Sequence, residues 1–193
     1  MVSAAGVAES TRRTLLGQWK AGIGAGAMIG LVGCGSGSTK PNLRKLPRAA
    51  RSADVVLLNQ ALDLEHEAIA AYTAGIPLLD GRPKKAAQLF LQQELSHAGE
   101  MYGLVKQAGG RPHKPKASYD LGHPSTSLEV LRLLHDLEHR ELRLYLGAIT
   151  KLSPGTVRAA VAAVLANDAQ HVAVLRSTLG MVPLPSPFVT GAE

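Results

Sequence analysis

A single cysteine, Cys34, in a chain of 193 residues excludes a disulfide framework, so stability must come from a packed core or from bound metal. Aromatic residues are scarce at 4%. The formal net charge is +6, yet the basic side chains form no stripe along a helix and no aromatic platform accompanies them, so nucleic acid is not an expected partner. Long apolar runs are also missing. The one weakly apolar stretch, Ala21 to Gly33, is interrupted by five glycines when Gly33 is counted, and is too short and too glycine-rich for a stable membrane span. No segment reads as a strand.

What the N-terminus does contain is an address. Thr11-Arg12-Arg13-Thr14-Leu15-Leu16 resembles a twin-arginine export signal, with Arg12 and Arg13 as its paired arginines. Leu31-Val32-Gly33-Cys34 resembles the lipobox of bacterial lipoproteins, in which the cysteine is lipidated and becomes the new first residue. Residues 1–33 are therefore expected to be an export signal and residues 34–52 a basic, lipid-anchored linker, with Lys40, Arg44, Lys45, Arg48 and Arg51 as a second membrane signal. The expected location is the outer face of the cytoplasmic membrane. From Cys34 onward the chain holds 18 basic and 14 acidic side chains, a net charge near +4, in 160 residues. That length suits one domain with a single core.

From Ala53 the chain reads as four amphipathic helices. Leu57, Leu58, Ala61, Leu62, Leu64, Ala68, Ile69 and Tyr72 recur at helical spacing, which predicts a first helix over 53–79. Asp80-Gly81-Arg82-Pro83 is a turn, and Pro83 suits the first turn of a second helix that Gly109-Gly110 stops. A proline-rich crossover precedes a third helix over 127–152, with Ser127 as candidate cap. Ser153-Pro154-Gly155 turns into a fourth helix over 155–179, ending at Gly180. Residues 181–193 form a proline-punctuated tail expected to lie over the helices. Short turns within each pair and a long joint between pairs imply two helical hairpins related by a pseudo-two-fold axis.

Each hairpin carries the same chemistry. Asp63-Leu64-Glu65-His66 returns as Asp136-Leu137-Glu138-His139, and a tyrosine follows each glutamate by seven residues, Tyr72 and Tyr145. Downstream lie Glu94-Leu95-Ser96-His97 and Asp168-Ala169-Gln170-His171. Residues three apart share a helix face, so each pair points an oxygen and an imidazole nitrogen the same way. Each acid sits in an apolar stripe: Leu62 and Ile69 around Glu65, Leu91 and Ala98 around Glu94, Leu134 and Leu142 around Glu138, Leu165 and Val172 around Asp168. Unpaired carboxylates in such positions are strongly unfavourable unless a cation neutralises them.

This pattern resembles the ferritin-like superfamily over roughly Ala53 to Leu179. Its di-iron and di-manganese proteins take one Glu and a Glu-x-x-His from each hairpin. The resemblance implies an all-α four-helix bundle with a long crossover, two Fe or Mn ions, and Glu65, Glu94, His97, Glu138, Asp168 and His171 as their ligands. Asp168 departs from the pattern, being one methylene shorter than Glu, so it either reaches one metal only or requires its helix closer. Tyr72 and Tyr145 could donate hydrogen bonds to the ligands. Oxygen donors with imidazole suit iron(II) or manganese(II), and the resemblance to manganese catalases, rubrerythrin-type peroxidases and ferroxidases implies redox chemistry with a small oxidant, peroxide or dioxygen. The alternative is a non-catalytic envelope or stress-related scaffold with structural metal or none. A storage cage is disfavoured by the basic, tethered chain, and a homodimer is compatible with it.

Other acids and histidines are assigned lesser roles. Glu100 and Glu141, each one turn from a proposed ligand, could serve as an additional ligand or a proton carrier, but solvated ion pairing is the favoured reading. His66 and His139 are rotated about 100° from the adjacent glutamates and read as interface or surface residues. His135 and His139, four apart, are not expected to form a metal pair.

Overall fold

The structure, a computed structural model, describes residues 48–192 apart from Pro154. The export signal with Arg12 and Arg13, the lipobox with Cys34, and the linker residues Lys40, Arg44 and Lys45 lie outside the described residues. Four helices account for the domain: α1 Arg48–Gly75, α2 Gly81–Gln107, α3 Ser127–Ile149 and α4 Gly155–Thr178. A single 3-10 turn, Ile76–Leu78, follows α1. There is no strand among the described residues. The chain is an all-α four-helix bundle.

Local chemistry explains most boundaries. Helix α1 is described from Arg48, five residues earlier than the apolar pattern suggests: Arg48, Ala50, Arg51 and Ser52 are helix-compatible but bury no stripe, so the apolar pattern does not register them. Its end tightens into the 3-10 turn where Pro77 cannot continue an α-helix. Helix α3 is capped by Thr126 and not by Ser127. The Thr126 hydroxyl accepts from Glu129 N while the Glu129 carboxylate accepts from Thr126 N, a reciprocal capping box. Asp80, at the corresponding position before α2, makes no side-chain cap.

Helix α1 packs along α2, and α3 along α4; α1 also lies close against α3. Gly75 permits that approach, since a Cβ there would fall 2.6 Å from Val130 Cγ1 on α3. The crossover, residues 108–126, runs beside α1. Asn59 holds it with both ends of its amide, donating to Arg111 O at 3.1 Å and accepting from His113 N at 2.9 Å. His113 Nδ1 also reaches the Asp63 carboxylate at 2.9 Å. Beyond α4 the tail folds back, tied by Arg176 Nε to Val182 O at 2.8 Å and by the Arg143 guanidinium to Gly191 O.

The interior is divided. One apolar cluster contains Leu58, Leu62, Met101, Val105, Tyr145, Leu152, Val157 and Val161; a second contains Ala71, Tyr72, Leu79, Phe90, Val130, Leu134 and Leu175. On every helix the proposed ligands fall in sequence between the residues of one cluster and those of the other. A polar belt thus crosses the middle of the bundle, with hydrophobic packing on both sides.

Candidate metal centre

All six residues expected to ligate metal are buried, and the fold brings them together. Helix α1 contributes Glu65, α2 contributes Glu94 and His97, α3 contributes Glu138, and α4 contributes Asp168 and His171. Their ligating atoms fall into overlapping groups, each within 4.8 Å: Glu94, Glu138, Asp168 and His171 in one, Glu65, His97 and Asp168 in another. Asp168 belongs to both groups despite its short side chain. Its Oδ1 lies 3.3 Å from His97 Nδ1 and 4.0 Å from His171 Nδ1.

A third group joins Glu65 and Glu94 to Glu141, and this overturns the reading of Glu141 as a solvated residue. Glu141 is fully buried, one turn along α3 from Glu138 and on its inward face. Sequence reasoning ranked a ligand role second for Glu141 because the internal repeat has no counterpart: Ala68 occupies the equivalent position on α1. The available signal was the i, i+3 spacing from Glu138 combined with Leu142 and Tyr145 beside it. Glu100, by contrast, is exposed as expected.

The imidazoles are held in position. His171 Nε2 lies 2.7 Å from Gln93 Oε1 and donates to it, which turns Nδ1 toward the carboxylates, 3.0 Å from Glu94 Oε1 and 3.1 Å from Glu138 Oε1. Phe90 stacks on the same ring, with centroids 4.0 Å apart. Gln93 is a second residue that the sequence did not single out. His97 Nδ1 faces Glu94 at 3.6 Å and Glu65 at 3.9 Å.

The two tyrosines exchange bonds across the pseudo-two-fold axis. Tyr72 on α1 donates to Glu138 Oε1 on α3 at 2.5 Å, and Tyr145 on α3 donates to Glu65 Oε1 on α1. Each phenol therefore serves the other hairpin's glutamate, not its own. Burial first, and then the neighbouring glutamates, push both phenols well above the ordinary range, so each remains an O–H donor.

Electrostatics make the belt costly without a cation. Burial raises Glu65, Glu138, Glu141 and Asp168 well above their usual values, and mutual repulsion among the carboxylates, Glu94 prominent among them, adds to the shift. Glu94 is the exception. Burial would raise it too, but His171 and His97 beside it outweigh burial and hold it at about 2. Eight buried carboxylate oxygens of the belt accept no hydrogen bond: one each of Glu65 and Glu138, and both of Glu94, Glu141 and Asp168. Native interiors leave few such atoms unpaired. Oxygen-rich donors with two imidazoles, converging and unsatisfied, are compatible with a metal site.

This architecture has known relatives. The family model described as the ferritin-like domain matches residues 53–181. The chain belongs to the ferritin-like family. Among solved structures it is similar to a conserved hypothetical protein, rv2844, from Mycobacterium tuberculosis, with a TM-score of 0.65 at 20% identity, covering 72% of this chain and 99% of that one. At that identity the likeness speaks for the fold alone. None of the curated proteins matches the chain. No described helix is long and apolar enough to cross a membrane.

Proposed function

We propose that this ferritin-like chain is a membrane-tethered dinuclear metal protein, binding two Fe or Mn ions and carrying out redox chemistry with peroxide or dioxygen. The observation that carries the reading is the set of eight buried, unsatisfied carboxylate oxygens converging with two imidazoles. Protonating every acid would neutralise the belt but would leave most of those oxygens without partners; a divalent pair uses them directly. Glu94, Glu138, Asp168 and His171 would hold one ion, and Glu65, His97 and Glu141, with Glu94 and Asp168 common to both sets, the other. When bound, such a pair would supply electrons and open coordination positions for a small oxidant.

The chain's own residues contribute position and proton supply. Tyr72 and Tyr145 fix the carboxylate orientation of Glu138 and Glu65 and place an O–H donor on each side of the belt. Gln93 sets the tautomer in which His171 presents Nδ1 inward. The two apolar clusters exclude bulk water from both ends. Export through the twin-arginine signal would allow the centre to fill before the folded protein leaves the cytoplasm. Cys34, lipidated, would then tether the domain through residues 34–52 to the outer face of the cytoplasmic membrane.

The decisive experiment is metal content by mass spectrometry on protein exported in its own host, beside a Glu94→Ala, Glu138→Ala double variant. Close to two Fe or Mn per chain, lost in the variant, supports the centre and makes peroxide and dioxygen turnover the next assay. No metal, or equal metal in both proteins, overturns the redox reading and leaves a ferritin-like scaffold acting through its surface. Cys34→Ala should move the protein from the membrane to the soluble fraction.

A further inference from the structure

We propose that His135 and His139 form a separate, mononuclear site for a divalent late first-row cation of the zinc(II) or copper(II) class. The sequence pattern alone argued against a metal pair here. The geometry reverses that reading. The two rings project from one face of α3, four residues apart, and their Nε2 atoms lie 3.0 Å from each other. Two imidazole nitrogens bound to one ion at about 2.0–2.1 Å subtend that separation at an angle of roughly 94°, and a tetrahedral ion needs them only a few tenths of an ångström farther apart. The rings are held by packing, with His135 9% and His139 5% exposed, so little side-chain freedom remains to be lost on binding.

The surroundings are compatible with a ligand pair. Asp136 Oδ1 lies 3.4 Å from His135 Nδ1, on the far side of the ring, where a carboxylate favours the tautomer that leaves Nε2 with its lone pair. A cavity of about 250 Å³, lined by both histidines and by Asp136, Arg140, Arg143 and the tail residues Gly191 and Ala192, gives the ion room for water ligands. The two arginines are turned to other partners. Arg140 makes a two-pronged pair with Glu67, at 2.6 and 3.0 Å, and Arg143 donates to Gly191 O. Imidazole donors without a carboxylate in the first shell select copper(II) and zinc(II) over the oxygen-preferring ions suited to the belt. Glu138 lies between the two histidines in sequence but points into the bundle, so the two sites draw on different faces of one helix.

The test uses the full chain carrying Glu94→Ala, Glu138→Ala and Asp168→Ala, which takes ligands from every group of the belt and so disables it, with and without His135→Gln and His139→Gln. Zinc(II) is titrated against a chromophoric chelator, and copper(II) binding is read by electron paramagnetic resonance. One zinc(II) per chain in the belt-disabled protein, weakened at least 30-fold by the histidine changes together with loss of nitrogen hyperfine structure from copper(II), is the expected result. No zinc(II) in the belt-disabled protein, or equal affinity with and without the histidines, overturns the proposal. Should the combined variant fail to fold, each single His→Gln change is measured in the wild-type belt. There an affinity drop of about tenfold for one zinc(II) of the total is expected, and an unchanged titration overturns the site. Either result is independent of whether the belt holds iron or manganese.

Discussion

The two hairpins carry the same motif but resolve it differently. In the first, the Glu-x-x-His has a full-length glutamate, Glu94, which two histidines keep ionised against burial, and the position one turn beyond Glu65 is only Ala68. In the second, the acid is the shorter Asp168, raised well above its usual value by burial, and the position one turn beyond Glu138 is the extra carboxyl of Glu141. Glu141 does not group with its neighbour Glu138 but with Glu65 and Glu94 of the first hairpin. The hairpin with the shorter acid thus lends a carboxyl to the hairpin without the extra one. The repeat supplies the framework, and its departures from symmetry make the two halves of the centre chemically distinct.

The comparison breaks most completely at Glu94, which faces both imidazoles, as Asp168 also does, and which those imidazoles hold at about 2. Glu94→Ala should remove nine-tenths or more of the bound metal from both halves, whereas Asp168→Ala, with Glu94 still in place beside both imidazoles, should leave a measurable fraction; metal content of purified protein decides it. Equal losses would mean the halves fill only together.

The acidity of the belt gives the next largest effect. Glu65, Glu138, Glu141 and Asp168 have folded values above their unfolded ones near 4.5 and 3.8, so their contribution to stability is complete below those values and is lost as pH rises through the folded ones. Glu94 runs the other way, contributing above 4.5 and losing that contribution as pH falls toward about 2. Four groups outweigh one. Metal-free protein should therefore melt at least about 5 °C lower at pH 8 than at pH 5, while metal affinity should rise over the same range because the ligands must shed protons. Thermal melts with and without metal across that range test both slopes.

Glu141→Met sharpens the difference between the halves. Replacing a buried carboxyl that has no hydrogen-bond partner with an apolar side chain of similar size should stabilise the metal-free domain by about 1–3 kcal/mol. The same change should weaken the ion held with Glu65 and His97 by about 10–100-fold. A metal-free variant less stable than wild type would show that Glu141 has a structural role.

The smallest effect lies at the hairpin entrances. Thr126→Ala removes a reciprocal cap from α3 and should cost about 0.5–2 kcal/mol, whereas Asp80→Ala, before α2, should change stability by no more than about 0.5 kcal/mol. Urea denaturation of the two variants measures the contrast.

Much of this was legible before any coordinates. Apolar spacing and turn residues locate four helices because each helix buries one continuous stripe, and six ligand positions are readable because a repeat marks them twice. What the repeat marks once, it hides. Glu141 has no counterpart on α1, so it looked like one more surface acid, although its spacing from Glu138 already put it on the inward face. Gln93 was invisible for a different reason: its partner, His171, is 78 residues away on another helix, and no local pattern encodes that bond. The cap at Thr126 was displaced by one residue because Thr126 and Ser127 can both serve, and only Glu129, three residues beyond Thr126, distinguishes them. The crosswise tyrosines depend on how closely α1 approaches α3, which is set by Gly75 and not by the tyrosines' own neighbours.

A protein built from two hairpins of the same pattern faces a problem of ambiguity, since the pattern alone does not say on which flank of the first the second docks. Asn59 resolves it. By gripping both the carbonyl of Arg111 and the amide of His113, one side chain makes the departing chain climb along α1 and commits α3 to the side where Val130 meets Gly75. The path of the crossover, and with it the side on which α3 comes to α1, is therefore tied down by a residue that is not itself a metal ligand.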